Sequence, residues 1–246
     1  MRDPSSLPGK LAARILHIRP ELMVIDKPAG LPLDPGRASG PSLADWLPLL
    51  QLGKRHLPHP AHRLDRDTAG CLVLGRTKPA LAALNALFAA RAVRKTYWAV
   101  TAGSPSGDAG VIDAPLRKVS TREAGWRMET HPEGQPARTA WRLLGTAAGP
   151  EGDLAWLELQ PETGRTHQLR VHLAALGLPI LGDPVYGTRA HPAGLHLLAR
   201  AIALPAGPET GAALVCEAPV PPAMAPAFAR CGAPTRTPGP SPVTKV

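Results

Sequence analysis

The chain has 246 residues, 44% of them hydrophobic, which is length and apolar content enough to bury a sizeable core. Its 28 Lys and Arg outweigh 19 Asp and Glu, for a formal charge of +9 and a pI near 10.1. That balance argues against an enzyme confined to small neutral molecules and favours a polyanionic partner. The plain alternative is a solvated, Arg-rich surface on a chain biased toward Ala, Gly, Pro and Arg.

Three scattered cysteines, Cys71, Cys216 and Cys231, form no CxxC pair and cannot all pair off as disulfides, which fits a reducing compartment. The opening MRDPSSLPGKLAAR lacks an apolar segment, and no apolar run approaches the roughly 20 residues that cross a bilayer. A cytoplasmic protein is expected.

Residues 1–10 read as a polar arm. Arg14 to Ile18 and Leu22 to Asp26 read as short strands, followed by a tight loop from Lys27 to Pro32. Ser42 is placed to cap a helix reaching Leu52, with Leu43, Trp46, Leu47 and Leu50 on one face. The prolines of LGKRHLPHPAH make the next segment a loop. Cys71 to Gly75 is a continuous apolar run of strand length, and Pro79 to Ala92 a helix with Pro in its first turn.

Strands are predicted at Thr96 to Thr101, Gly125 to His131, Thr139 to Gly145 and Leu154 to Gln160. In the last, Ala155, Leu157 and Leu159 alternate with Trp156, Glu158 and Gln160, the period of a half-buried strand. Thr166 to Leu176 reads as a helix with Leu169, Leu173 and Leu176 on one face and Gly177 just past its end. Short strands at His196 to Arg200 and Leu214 to Glu217 and a helix at Ala223 to Cys231 complete the core, and residues 232–246 are too rich in Pro, Gly and Thr to pack. Strands outnumber helices without regular alternation, so an α+β fold with a largely antiparallel mixed sheet is expected, in one domain over 11–231.

The stretch HPAHRLDRDTAGCLVLGRT concentrates the candidate chemistry. From Gly70 to Thr77 it mimics a phosphate-binding loop, but Leu72, Val73 and Leu74 favour a buried strand and Arg76 stands where the motif needs lysine. His62-Arg63-Leu64-Asp65 echoes a kinase catalytic loop with no Gly-rich loop upstream. His56, His59 and His62 recur every third residue, yet Pro58 and Pro60 break the helix that would gather them on a metal, and none is expected. Asp65 remains, and alone it would read as the partner of a weak surface ion pair with Arg63 or Arg66. Two further polar clusters also sit where apolar elements begin or end: RKTY around Tyr97, and ETGRTHQLR around Arg165. An acid, a phenol and an arginine so placed make a candidate site, in which the arginine can hold a carboxylate ionised.

HRLDRDTAG resembles the signature of the RluA family of pseudouridine synthases, and LMVIDKPAGLP, RKTYWAV and ETGRTHQLRVHLAALGLPILGDPVYG resemble its other segments in the right order. The resemblance covers roughly residues 14–204, and one departure is Ala69, where the family usually has Ser. It implies the synthase catalytic fold, with helices and loops flanking the sheet around a central RNA-binding cleft, and no N-terminal S4 domain. The implied activity is isomerisation of uridine within structured RNA, rRNA or tRNA, by breaking the N1–C1′ bond and remaking it from C5.

The resemblance makes Asp65 the essential carboxylate, Arg165 the residue that keeps it ionised, and Tyr97 the ring that stacks on the flipped base and helps remove the C5 proton. Arg63 would fill the gap the base leaves. Leu64, Arg66, Thr68, Gly70, His167, Gln168 and Arg170 would line the substrate site, and Leu197 would be an apolar wall for the uracil. An isomerisation conserves every atom, so no cofactor is implied; nor is an obligatory protein partner, and a monomer is expected. The competing readings are a basic RNA-binding module without chemistry and a phosphotransferase built on the Gly70 to Thr77 run.

Overall fold

The computed structural model describes residues 9–35, 41–121, 125–149 and 152–233. Most of the expected N-terminal arm and C-terminal tail lies outside these residues, although Lys10 belongs to a one-turn helix, α1 (Gly9–Ala12), and Ala233 is buried. The chain divides into two compact units. The first runs to Lys95 and takes in Ala199–Pro219; the second holds Thr96–Leu198 and continues from Val220.

In the first unit β1 (Ile15–Ile18) pairs antiparallel with β2 (Leu22–Lys27), and β2 with β4 (Ala69–Gly75). Every residue of β2 and β4 is buried, which is why LMVI and CLVL read as continuous apolar runs rather than alternating ones. A two-residue strand, β3 (His59–Pro60), pairs with β4 inside the segment expected to be loop. Helix α2 (Leu43–Leu50) buries Leu43, Leu47 and Leu50, and at its start the Asp45 carboxylate accepts from both the N–H and the hydroxyl of Ser42.

Thr77 caps α3 (Lys78–Ala89) by accepting from the Ala80 N–H at 3.2 Å. Gly75 allows the close approach of helix to strand, because a Cβ there would lie 2.8 Å from the Leu81 Cα. Gly70 to Gly75 is thus strand, and Thr77 spends its hydroxyl on a helix cap; the phosphate-loop reading of this run does not fit its backbone. Strand β12 (Leu214–Glu217) pairs antiparallel with β11 (Leu197–Leu204).

The second unit is built on β5 (Arg94–Ala102), β10 (Leu154–Pro161), β9 (Arg138–Ala147) and β6 (Ala109–Asp113), each antiparallel to the next. A separate two-stranded sheet joins β7 (Leu116–Thr121) to β8 (Gly125–Thr130). Helix α4 (Gln168–Ala175) lays Leu169 and Leu173 into a cluster with Leu157, Leu159, Ile180 and Leu197, and α5 (Ala225–Arg230) buries Phe228.

Two expectations of burial fail here. Trp156, predicted on the solvent side of β10, is buried beside Trp98 and Phe228, so β10 is covered on both faces over its first half. Leu176 is exposed, because α4 ends at Ala175 and the chain turns away through Gly177 at φ 74°. Strands β6 and β7 were not predicted. The fold is α+β with largely antiparallel strands and few helices, as expected.

Candidate active site

The antiparallel register of β2 on β4 sets Lys27 opposite Gly70, so the end of β2 lies beside the loop that carries Asp65. Lys27 is wholly buried. Its ammonium donates to three backbone carbonyls, those of Pro28 at 2.8 Å, Leu31 at 2.9 Å and Arg66 at 2.9 Å. The Gly30 N–H donates to the same Arg66 carbonyl at 2.9 Å, and the Thr68 N–H to that of Asp65 at 3.2 Å. Burial pulls the Lys27 ammonium down to about 8, while the negative charges of Asp67, Asp65 and Asp26 work against the fall. One cation thus ties the Lys27 to Leu31 turn to the Asp65 loop and lends that loop its positive charge.

Within the loop, Leu64, Thr68 and Gly70 are buried and anchor it, whereas Arg63 and Arg66 are exposed and Asp65 is half-buried between them. Arg66 pairs with Asp67, Nε to Oδ1 at 3.0 Å, and is held outward. Ala69 is buried at the start of β4. Below the loop, His62 accepts the Val73 N–H on Nε2 at 3.0 Å and stacks on Phe88. Burial, aided by the charge of Lys95, pushes this imidazole down to about 3, so it is neutral and structural. With Nε2 accepting from the backbone, His62 does not offer the face a His56, His59 and His62 metal site would need.

In the second unit Tyr97 lies on β5 opposite Leu159 of β10, and it packs against the same apolar cluster that contains Leu197. A half-buried phenol and an apolar wall thus share one patch. Arg165 precedes α4, its Nε donating to the Pro136 carbonyl at 3.2 Å and its N–H to the Gln168 Oε1 at 3.0 Å. Gln168 is buried and its polar capacity is spent within the protein. Its Oε1 also accepts from Thr163, and its Nε2 donates to the Arg138 carbonyl and the Thr139 hydroxyl, each at 3.0 Å.

Arg170 likewise faces inward, forming a two-pronged pair with Asp183: Nε to Oδ2 at 2.8 Å and Nη2 to Oδ1 at 2.7 Å. Burial alone would raise the Asp183 carboxyl, but Arg170 and the N–H groups of Tyr186 and Val185 together bring it below its ordinary value. His167, at the N-cap of α4 with φ 54°, bonds through Nδ1 to the Tyr186 hydroxyl at 2.9 Å. Lys27 and Asp183 were missed as site-building residues. The available signals were a charged pair, Asp26-Lys27, closing an apolar strand, and an acid thirteen residues beyond Arg170.

Comparison with known proteins gives this geometry a family. A family model described as RNA pseudouridylate synthase matches residues 21–175. An uncharacterized RNA pseudouridine synthase of Zymomonas mobilis is 46% identical over 179 residues, 72% of this chain and 80% of the relative. A second relative from the same organism, ribosomal large subunit pseudouridine synthase D, is 35% identical over 206 residues, covering 80% of this chain and 62% of its own length. The matched stretch spans only about half of two further relatives, 51% of one from Chloroflexus aurantiacus and 54% of one from Synechocystis. Among solved structures, human RNA pseudouridylate synthase domain containing 4 superposes with a TM-score of 0.74 at 31% identity, over 91% of this chain and 94% of its own. The chain belongs to the family of RNA pseudouridylate synthases.

Proposed function

We propose that this protein isomerises particular uridines of structured RNA, rRNA or tRNA, to pseudouridine, with Asp65 as the catalytic carboxylate. The observation that carries the reading is the HRLDRDTAG loop itself. Its half-buried Asp65 stands between outward-facing arginines, on a backbone pinned by the buried Lys27 ammonium. A carboxylate so held can either capture and stabilise the oxocarbenium-like sugar as the N1–C1′ bond breaks, or first abstract the C2′ proton to give a glycal. In both routes the C5–C1′ bond then forms, C5 gives up its proton and N1, freed of the sugar, takes one up; in the glycal route the C2′ proton is also returned, so atoms balance without a co-reactant.

In this reading Tyr97 stacks on the detached uracil against the wall that includes Leu197 and helps take the C5 proton; their membership of one apolar cluster supports the pairing. Arg165 is the counter-charge that this reading assigns to the Asp65 carboxylate. Arg63 enters the RNA where the uridine left the stack, a role suited to an exposed cation because flipping costs a few kcal/mol. Leu64, Thr68 and Gly70 shape the loop, Arg66 meets phosphate, and Gln168 and Arg170 serve by positioning Arg165 and His167 rather than by touching RNA. A relative named for the ribosomal large subunit supports an rRNA target. We place the activity in the cytoplasm, which suits three free, buried thiols, and in a monomer.

The test is Asp65→Asn. Wild-type protein should convert specific uridines of bulk RNA, mapped by carbodiimide-stopped primer extension in cells with and without the gene. The variant should lose all conversion while keeping RNA affinity within about twofold. A wild-type protein that binds RNA yet changes no uridine would instead mark a binding module without chemistry.

A further inference from the structure

The RNA-facing chemistry described so far concerns the uridine that reacts; a second feature, in the β7–β8 sheet, is used by none of it. Trp126 on β8 is 46% exposed, a large apolar ring left in solvent on a two-stranded sheet. Its cross-strand partner is Ser120, too small to cover it. On the same face, Lys118 holds its ammonium 5.0 Å from the ring centroid. The sheet's other charges are Arg117, which pairs with Glu129, and Arg127, which is exposed.

The indole is also braced. The His167 ring stacks on it at 5.1 Å and 25°, and the Tyr186 hydroxyl bonds to His167 and accepts the Met128 N–H of β8 at 3.0 Å. The Tyr186 ring lies under the Arg170 guanidinium at 5.1 Å, and Arg170 is locked by Asp183. A ring exposed yet fixed in orientation through His167 to the start of α4 is a pre-organised platform, and pre-organisation lowers the ordering cost of whatever lies on it.

Resting on the reading of this chain as an RNA enzyme, we propose that Trp126 and Lys118 form a stacking site for a second, unpaired base of the substrate RNA, distinct from the uridine that is isomerised. The neighbours of the ring decide the occupant. On its own face of the sheet they are Lys118, Ser120 and Met128, and the cation held over the ring suits a base carrying phosphate on either side better than an apolar protein surface. Any base offers a π-face, so the site selects for unpaired structure more than for sequence. Lys118 is placed to swing from the ring to a flanking phosphate as the base arrives. Substrates in which the target uridine has an unpaired neighbour within reach would therefore be preferred.

The experiment uses the full chain and bulk ribosomal and transfer RNA from cells lacking the gene. Trp126→Ala should raise the apparent KM about tenfold, the order expected for one lost base stack, with kcat within about twofold of wild type. Trp126→Phe, which keeps an aromatic face, should restore most of the affinity, and Trp126→Leu, apolar without a π-face, should not. Intrinsic fluorescence of the wild type should be quenched when this RNA binds, and Trp126→Phe should lose that quenching while still binding. Wild-type KM in both Trp126→Ala and Trp126→Leu, or undiminished quenching in Trp126→Phe, overturns the proposal. A wild-type protein that converts no uridine defeats instead the reading on which it rests, and the two failures are told apart by that control.

Discussion

Lys27 shows at the scale of one residue how burial turns an ordinary side chain into a site component. Three carbonyls solvate its ammonium in place of water, and the third of them, on Arg66, is next to Asp65. A neutral amine has one proton fewer and cannot serve all three, so deprotonation loosens the loop. Activity should fall as pH rises through about 8, the value to which burial brings this group. Stability moves the other way. Between about 8 and the ordinary 10.5 the unfolded chain binds the proton that the folded chain has released, and linkage makes this group's contribution rise with pH. The expected outcome is a pH–rate profile with a falling limb near pH 8 and no matching drop in melting temperature. Lys27→Met should lose that limb along with roughly 100-fold in rate, the cost of a misplaced catalytic group; an unchanged profile in Lys27→Met would assign the limb to another residue. The sequence marks Lys27 only as the start of a turn, since nothing local reveals that Arg66 will close over it.

At the scale of elements, α4 holds its place through polar residues that point inward. Arg170 and Asp183 are buried together, and a buried pair gains little over an apolar one but is costly to break. Asp183→Asn should lower stability by about 3–5 kcal/mol in urea denaturation, through the uncompensated guanidinium. Asp183→Leu should cost more, because it also strands the Val185 and Tyr186 N–H groups that Oδ1 accepts. Both variants should weaken RNA binding as well, since Tyr186 braces His167. Elements with an uninterrupted apolar signal, such as β2, β4 and α2, were legible from local pattern. Strand β6 was not, because AGVID is short and only Ile112 is buried; its pairing to β9 comes from partners far along the chain. Periodicity also misplaced Trp156, whose burial beside Trp98 and Phe228 depends on a helix some seventy residues later.

For the whole molecule, the formal charge of +9 is the property that meets the polyanion. RNA binding should lose at least about tenfold in affinity between about 50 and 200 mM salt, with a log–log slope near −0.7 per single-strand phosphate contacted. Arg66→Gln should flatten that slope by about one contact, measured by fluorescence anisotropy; a slope near zero would mean that the charge is merely solvated. The amino-acid sequence alone determined the fold class, most elements and the order of the motifs around Asp65, Tyr97 and Arg165, because these rest on apolar runs, caps and residue types at fixed spacing. The tertiary structure decided which polar residues face inward: that Lys27 pins the loop, that Gln168 and Arg170 spend their hydrogen bonds within the protein, and that Trp126 stands exposed on a braced sheet. A hydrogen bond's partner is set by where distant segments meet in space, and spacing along the chain carries no record of that meeting.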